Sequence, residues 1–159
     1  MPSGPVVQVA AAAELDSVVL YRILALRSEV FVLEQDCVYL DQDGRDLELG
    51  AVQLWIEDGG AVVATLRLLS EPGDVTRVGR VATASAARGR GLAGLLMRRA
   101  IELSGDRAIV LDAQSPLAGW YGGFGFGVDG PEFIEDGIPH VPMRRVSSGA
   151  PSPADTFHG

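Results

Sequence analysis

Residues 77–103 run strand, glycine loop, helix without a break, and that order constrains everything around them. RVGRVATA (77–84) has the content of a strand. Leu92, Leu95, Leu96, Ala100 and Leu103 fall on one face of a helix. Between them lies ARGRGLAG (87–94), where Gly89, Gly91 and Gly94 are interspersed with Arg88 and Arg90. A turn needs one glycine to reach positive φ. Three glycines and two arginines in seven residues exceed that need and describe a cradle for phosphate.

The rest of the chain supplies a sheet. ELDSVVLYRILALR (14–27) has the spacing of a helix, with Leu20, Ile23, Leu24 and Arg27 in phase. The next stretch reads as a second short helix and a loop, ending in turn chemistry at Asp43-Gly44. AVQLWIE (51–57) alternates, Asp58-Gly59-Gly60 turns, and AVVATLRLL (61–69) returns. AIVLDAQ (108–114) is a buried strand, Pro116 opens a short helix, and FGFGV and VPMRRV are closing strands. The pattern predicts an α+β fold around a mostly antiparallel sheet flanked by helices. One domain is expected over residues 1–146. A Ser/Pro/Gly/Ala-rich tail, 147–159, is expected to be disordered.

Composition narrows the partners. Thirteen Lys and Arg against 21 Asp and Glu give a net charge of −8 over 159 residues. Such a chain is a poor nucleic-acid binder and a better host for a cationic amine. A single cysteine, Cys37, allows no intrachain disulfide and fits a reducing cytoplasm. Two histidines beside one cysteine offer no structural zinc set, so no metal is expected. Neither a signal peptide nor a membrane span is expected.

Two phosphate ligands compete for residues 87–94. Gly89, Gly91 and Gly94 spell the G-x-G-x-x-G of dinucleotide folds, and Asp112 lies near the expected acidic position. Against this, the stretch Thr83-Ala84-Ser85-Ala86-Ala87-Arg88 intervenes before the first glycine, the preceding strands look hairpin-connected, and the chain after Asp112 is too short for a second βαβ half. A P-loop is excluded, because no Gly-Lys-Ser/Thr occurs. The alternative is a pyrophosphate on a helix N-terminus, held by N–H groups that have no intrahelical partner.

Arg88-Gly89-Arg90-Gly91-Leu92-Ala93 resembles the Q/R-x-x-G-x-G/A motif of the GNAT superfamily of N-acetyltransferases. RSEVFVLEQ, DQDGRDLE, LDAQSPLAGWYGGFGF and EFIEDGIPHVPMRR extend the resemblance to the ElaA-like subfamily over residues 14–146. The resemblance implies the GNAT fold and an acetyl-CoA-dependent enzyme, monomeric or homodimeric. A primary amine, on a small molecule or a protein, would attack the thioester directly. Val81, Ala82 and Thr83 would pair with the pantetheine arm. Backbone groups of Arg88, Gly89, Arg90, Gly91, Leu92, Ala93 and Gly94 would hold the pyrophosphate. Tyr121 matches the tyrosine that protonates the departing thiolate. For the amine side the shared segments offer Glu34, Asp43, Asp46 and His140, with Glu34 and His140 foremost. Cys37 reads as a small buried residue. Gln53 departs from the family, which tends to carry histidine there. Arg27, Glu29, Val30 and Phe31 also resemble acyl-homoserine-lactone synthases, so a longer acyl donor stays open, as does a non-catalytic acyl-CoA-binding module.

Overall fold

Alternation along the strands sorts their side chains onto two faces, and each face takes its own helix. The computed structural model describes residues 4–147. Its strands are β1 (Gln8–Ala11), β2 (Val52–Asp58), β3 (Ala61–Glu71), β4 (Val75–Thr83), β5 (Ala108–Gln114), β6 (Gly127–Val128), β7 (Phe133–Glu135) and β8 (Ile138–Arg145). They form one sheet in the order β1-β2-β3-β4-β5-β8-β6, with β7 also on β8. Only β4 and β5 run parallel among the described pairs. This is the mixed, mostly antiparallel α+β sheet that the hydropathy pattern predicts. Gly59 and Gly60, at φ 61° and 81°, close the β2–β3 hairpin with the left-handed pair that a two-residue turn favours.

Helix α2 (Leu92–Ser104) connects β4 to β5 and covers one face. Its Leu92, Leu96, Met97 and Ala100 pack on Leu54, Leu66, Val78 and Ile109. Truncating Leu96 to alanine there would cost about 2–5 kcal/mol. Helix α1 (Ser17–Arg27) covers the other face and sets Ile23 and Leu26 against Trp55, Val62 and Ala82. Asp16 caps α1 by accepting from the Val18 and Val19 N–H groups at 2.8 and 3.3 Å.

Several elements differ from the sequence reading. Residues 28–34 form no separate helix. They prolong α1 as a π-helical stretch, and the Cys37 N–H closes on the Val32 carbonyl at 3.2 Å. Strand β1 had no alternating signal, because Gln8, Val9 and Ala11 are all exposed at the sheet edge. Strand β7 is three residues long and stands on β8 alone. The expected short helix begins as a 3₁₀ turn at Ser115–Leu117 and becomes α3 (Ala118–Gly122). Of the expected tail, Ser147 is buried, and residues 148–159 lie outside the described residues.

Two irregularities position the site. In β4, Arg80 and Val81 together oppose the single residue Leu66: Thr65 pairs with Ala82, and Arg67 with Gly79. Arg80 sits at φ 53° in this bulge. Strand β4 also pairs with β5 only at Val75–Arg77 against Ala108–Val110. Beyond those rungs the two neighbouring strands no longer pair.

Candidate active site

The gap between β4 and β5 opens into a cleft of about 630 Å³. Gly79, Arg80 and Val81 line it from β4, Leu111, Asp112 and Gln114 from β5, and Tyr121 and Leu117 from behind. His140 of β8 enters because it pairs with Gln114 across the antiparallel β5–β8 ladder. The loop 35–47 and the β7–β8 turn, at Asp136 (φ 51°) and Gly137 (φ 77°), form the outer wall.

The glycine loop follows β4 through a 3₁₀ turn at Ser85–Ala87. Gly89 and Gly91 adopt φ 81° and 75°, and a Cβ at either would meet open space. The backbone therefore needs glycine there for conformation, and the space beside it is free for a ligand. Gly91 caps α2 without any side-chain hydrogen bond, and the first helical bond runs from the Leu95 N–H to the Gly91 carbonyl. The N–H groups of Leu92, Ala93 and Gly94 are thus helix-terminal donors without an intrahelical partner. Gly94 is different, since a Cβ there would touch Arg98 and Phe124 only at an ordinary 3.8 Å. Both arginines of the loop are engaged by acids. Arg88 donates to Glu34 Oε2 at 2.6 Å and to the Thr83 carbonyl at 3.2 Å, and Arg90 donates to Asp58 at 3.0 Å.

Tyr121 and His140 come together in the cleft. Tyr121 is buried beside Trp120 and Phe126, and burial pushes its phenol up to about 12. His140 Nδ1 lies 2.7 Å from the Ile138 carbonyl, which can only accept, so Nδ1 carries the hydrogen. That leaves Nε2 as the ring nitrogen turned away from the Ile138 carbonyl, and the ring plane stacks on Phe133 at 5.7 Å. Glu34 is not in this group. It ends the π-helical stretch beside the glycine loop, with its carboxylate on Arg88. Of the β4 residues, Val81 lines the cleft, while Ala82 and Thr83 pair with Thr65 and Ala64 of β3 and leave their other edge toward β5.

Asp43 and Asp46 are corrected as base candidates. The Arg67 guanidinium bonding Asp43 holds its carboxyl well below the usual carboxylate range. Burial pushes Asp46 upward, but the bonds and charge of Arg27, with the charge of Arg67, outweigh it and lower the carboxyl. Carboxylates so stabilised are weak proton acceptors. They belong instead to a buried ionic network. Arg27, 0 % exposed, donates to Asp41 at 2.8 Å and to Asp46 at 2.7 Å. Arg67, 4 % exposed, donates to Asp43 at 2.6 Å and to Asp46 at 3.2 Å. Gln53, standing where the family tends to carry histidine, donates to Asp46 at 2.8 Å, and its own Oε1 is buried without a partner. The sequence held one sign of this network: Arg27 keeps the phase of an apolar helix face, and an arginine there needs acids.

The comparisons agree with this geometry. Residues 30–147 match the model of the Acetyltransferase (GNAT) domain. The UPF0039 protein Rv2851c of Mycobacterium tuberculosis is 46% identical over 142 residues, covering 87% of this chain and 91% of that protein. Protein ElaA of Escherichia coli is 38% identical over 141 residues, covering 84% and 91%. Among solved structures, an acyl-CoA N-acyltransferase from Pseudomonas aeruginosa superposes with a TM-score of 0.86 at 38% identity, covering 90% of this chain and 100% of that one. The crystal structure of Escherichia coli ElaA gives 0.84 at 34%, covering 89% and 99%. The family match and these solved structures together make the chain an enzyme of acyl-CoA-dependent acyl transfer. The chain belongs to the GNAT family of N-acyltransferases and, within it, to the ElaA-like group.

Proposed function

We propose that the enzyme is an acetyl-CoA-dependent N-acetyltransferase whose acceptor is a cationic primary amine. One observation carries this reading: Tyr121 and His140 line one cleft with Val81 of β4, the strand that runs on into the glycine loop. Donors at 89–94 suit the pyrophosphate, with Arg88 and Arg90 adding charge. The β4 edge at 81–83, which β5 does not pair, suits a pantetheine arm laid along it like an added strand. His140 Nε2 takes a proton from the amine, directly or through water. The neutral amine nitrogen attacks the thioester carbon, and the C–S bond breaks as the Tyr121 hydroxyl gives its proton to the sulfur. The extra proton left on the new amide nitrogen passes to the Tyr121 phenolate, directly or through water. Glu34 becomes available to the amine once pyrophosphate draws Arg88 away.

The cleft favours a short acyl group. Arg67, Arg77, Arg80, Asp43 and Glu71 line it, and a long alkyl chain would have to lie against these charges. It also favours a cation. Five carboxylates face four guanidiniums, and the guanidiniums are ion-paired, so Glu135 and Asp136 at the β7–β8 turn add acidity next to His140. A cytoplasmic enzyme suits the lone free thiol of Cys37.

Thermal shifts with acetyl-CoA, octanoyl-CoA, NADH and ATP test the reading, on the wild type and on Gly91→Glu. Acetyl-CoA at 100 times its Kd should add about 2.7 kcal/mol, a rise of about 5–10 °C for a domain of this size. Gly91→Glu should remove the rise by placing charge and strain in the cradle, while Gly94→Ala should keep it. A shift with NADH and none with acetyl-CoA would overturn the reading.

A further inference from the structure

The loop 35–47 walls the acceptor side of the cleft, yet apart from one short turn, Arg45–Leu47, it has no regular structure of its own. What holds it is a set of arginines from the elements beneath. One of these, Arg80, is also the residue whose backbone makes the β4 bulge. An L-residue at φ 53° is strained unless its surroundings fix it. Here the surroundings are the loop. Arg80 Nη2 donates to the Asp41 carbonyl at 3.0 Å and lies 3.4 Å from Asp43 Oδ2. Its Nε stands 2.8 Å from Asp41 Oδ1 without aiming its N–H along that line, so the contact is ionic rather than a hydrogen bond. Its guanidinium carbon lies 5.9 Å from the centre of the Tyr39 ring. Three loop residues therefore grip one side chain whose main chain forms the β4 bulge, three residues past the last rung that joins β4 to β5.

We propose, resting on the reading of this gap as the acyl slot, that Arg80 is a positioning residue. It couples the opening of the slot to the placement of the acceptor loop, through Asp41, Asp43 and Tyr39. The loop contacts hold the bulge in its left-handed turn, and the bulge in turn holds the loop over the cleft. This is a role for the side chain that a glycine could fill only in half.

That asymmetry gives the test. Arg80→Gly releases the loop but adopts φ 53° without strain, so the slot survives. Arg80→Ala releases the loop and leaves the strain unsupported, so the bulge relaxes and the slot narrows. Cys37 is the chain's single cysteine, on the loop two residues from Tyr39, and reports loop placement without any acceptor. Its rate of reaction with a water-soluble aromatic disulfide should rise about tenfold in both variants. Acetyl-CoA affinity by calorimetry should stay within about threefold of wild type in Arg80→Gly and fall about tenfold in Arg80→Ala. A purely structural ion pair would lower thermal stability in both and leave their affinities equal. Equal affinities, or a Cys37 rate unchanged from wild type, would overturn the proposal. Failure of the wild type to bind acetyl-CoA would instead overturn the acyl-slot reading, and the Cys37 rates would still decide the coupling of Arg80 to the loop.

Discussion

Tyr121 holds its proton more tightly than a free phenol, because burial disfavours the phenolate. At neutral pH the hydroxyl is therefore always a donor. It suits hydrogen bonding to a thiolate as the charge develops, when the bond is strongest. The ring does separate work, packing edge-on against Trp120 and Phe126. Tyr121→Phe keeps that packing and removes the donor. The expected result is a fall in kcat of about 100-fold, with acetyl-CoA affinity unchanged within twofold by calorimetry. An equal loss in affinity would assign the hydroxyl to binding instead. The sequence alone did not distinguish these roles, since Trp-Tyr-Gly-Gly-Phe reads as packing, and the donor role came from the family pattern. His140 was equally ambiguous. Its tautomer depends on the Ile138 carbonyl two residues away, a contact that exists only once the β7–β8 hairpin has formed.

The glycine loop was legible as an element because all its parts are local: a strand, positive-φ glycines and an uncapped helix follow one another in the chain. The π-helical stretch was not legible, since widening a helix by one residue per turn leaves no mark on residue spacing over seven positions. Yet that stretch places Glu34 against Arg88. The pair is partly exposed, and such pairs contribute about 0.2–1 kcal/mol. A pyrophosphate in the cradle competes with Glu34 for the same guanidinium. Glu34→Gln should therefore tighten CoA binding by about twofold to fivefold, read by calorimetry at low salt, with the gain shrinking as salt rises. Weaker binding in this variant would mean that Glu34 supports the loop rather than competing for it.

Strand order is a property of the whole molecule, and hydropathy carries little of it. Alternation gave β2, β3 and β4, but the edge strands β1 and β7 bury too little on either face to alternate. The ionic network is likewise non-local, joining Arg27 of α1, Asp41, Asp43 and Asp46 of the loop, and Arg67 of β3. Arg27, Asp41, Asp46 and Arg67 are removed from water, so the network's worth lies in remaining complete. Removing one partner strands the others, at a cost of about 3–5 kcal/mol. Asp46 is shared by both arginines, so Asp46→Asn should destabilise the fold by that amount at pH 7, measured by urea unfolding. The network also sets the acid limit. The carboxyls of Asp43, Asp46 and Glu71 are lowered in the folded state, so their stabilisation is complete above the unfolded values of about 4 and is lost as pH falls through the folded ones. The wild type should thus hold a constant unfolding free energy from pH 7 to 5 and lose it steeply below pH 4. Asp46→Asn should begin lower and fall less steeply, because one of the protons that drives acid unfolding no longer binds. A variant within 1 kcal/mol of wild type at pH 7, or one with an unchanged acid slope, would show that the loop is held by packing and that the network adds little to it.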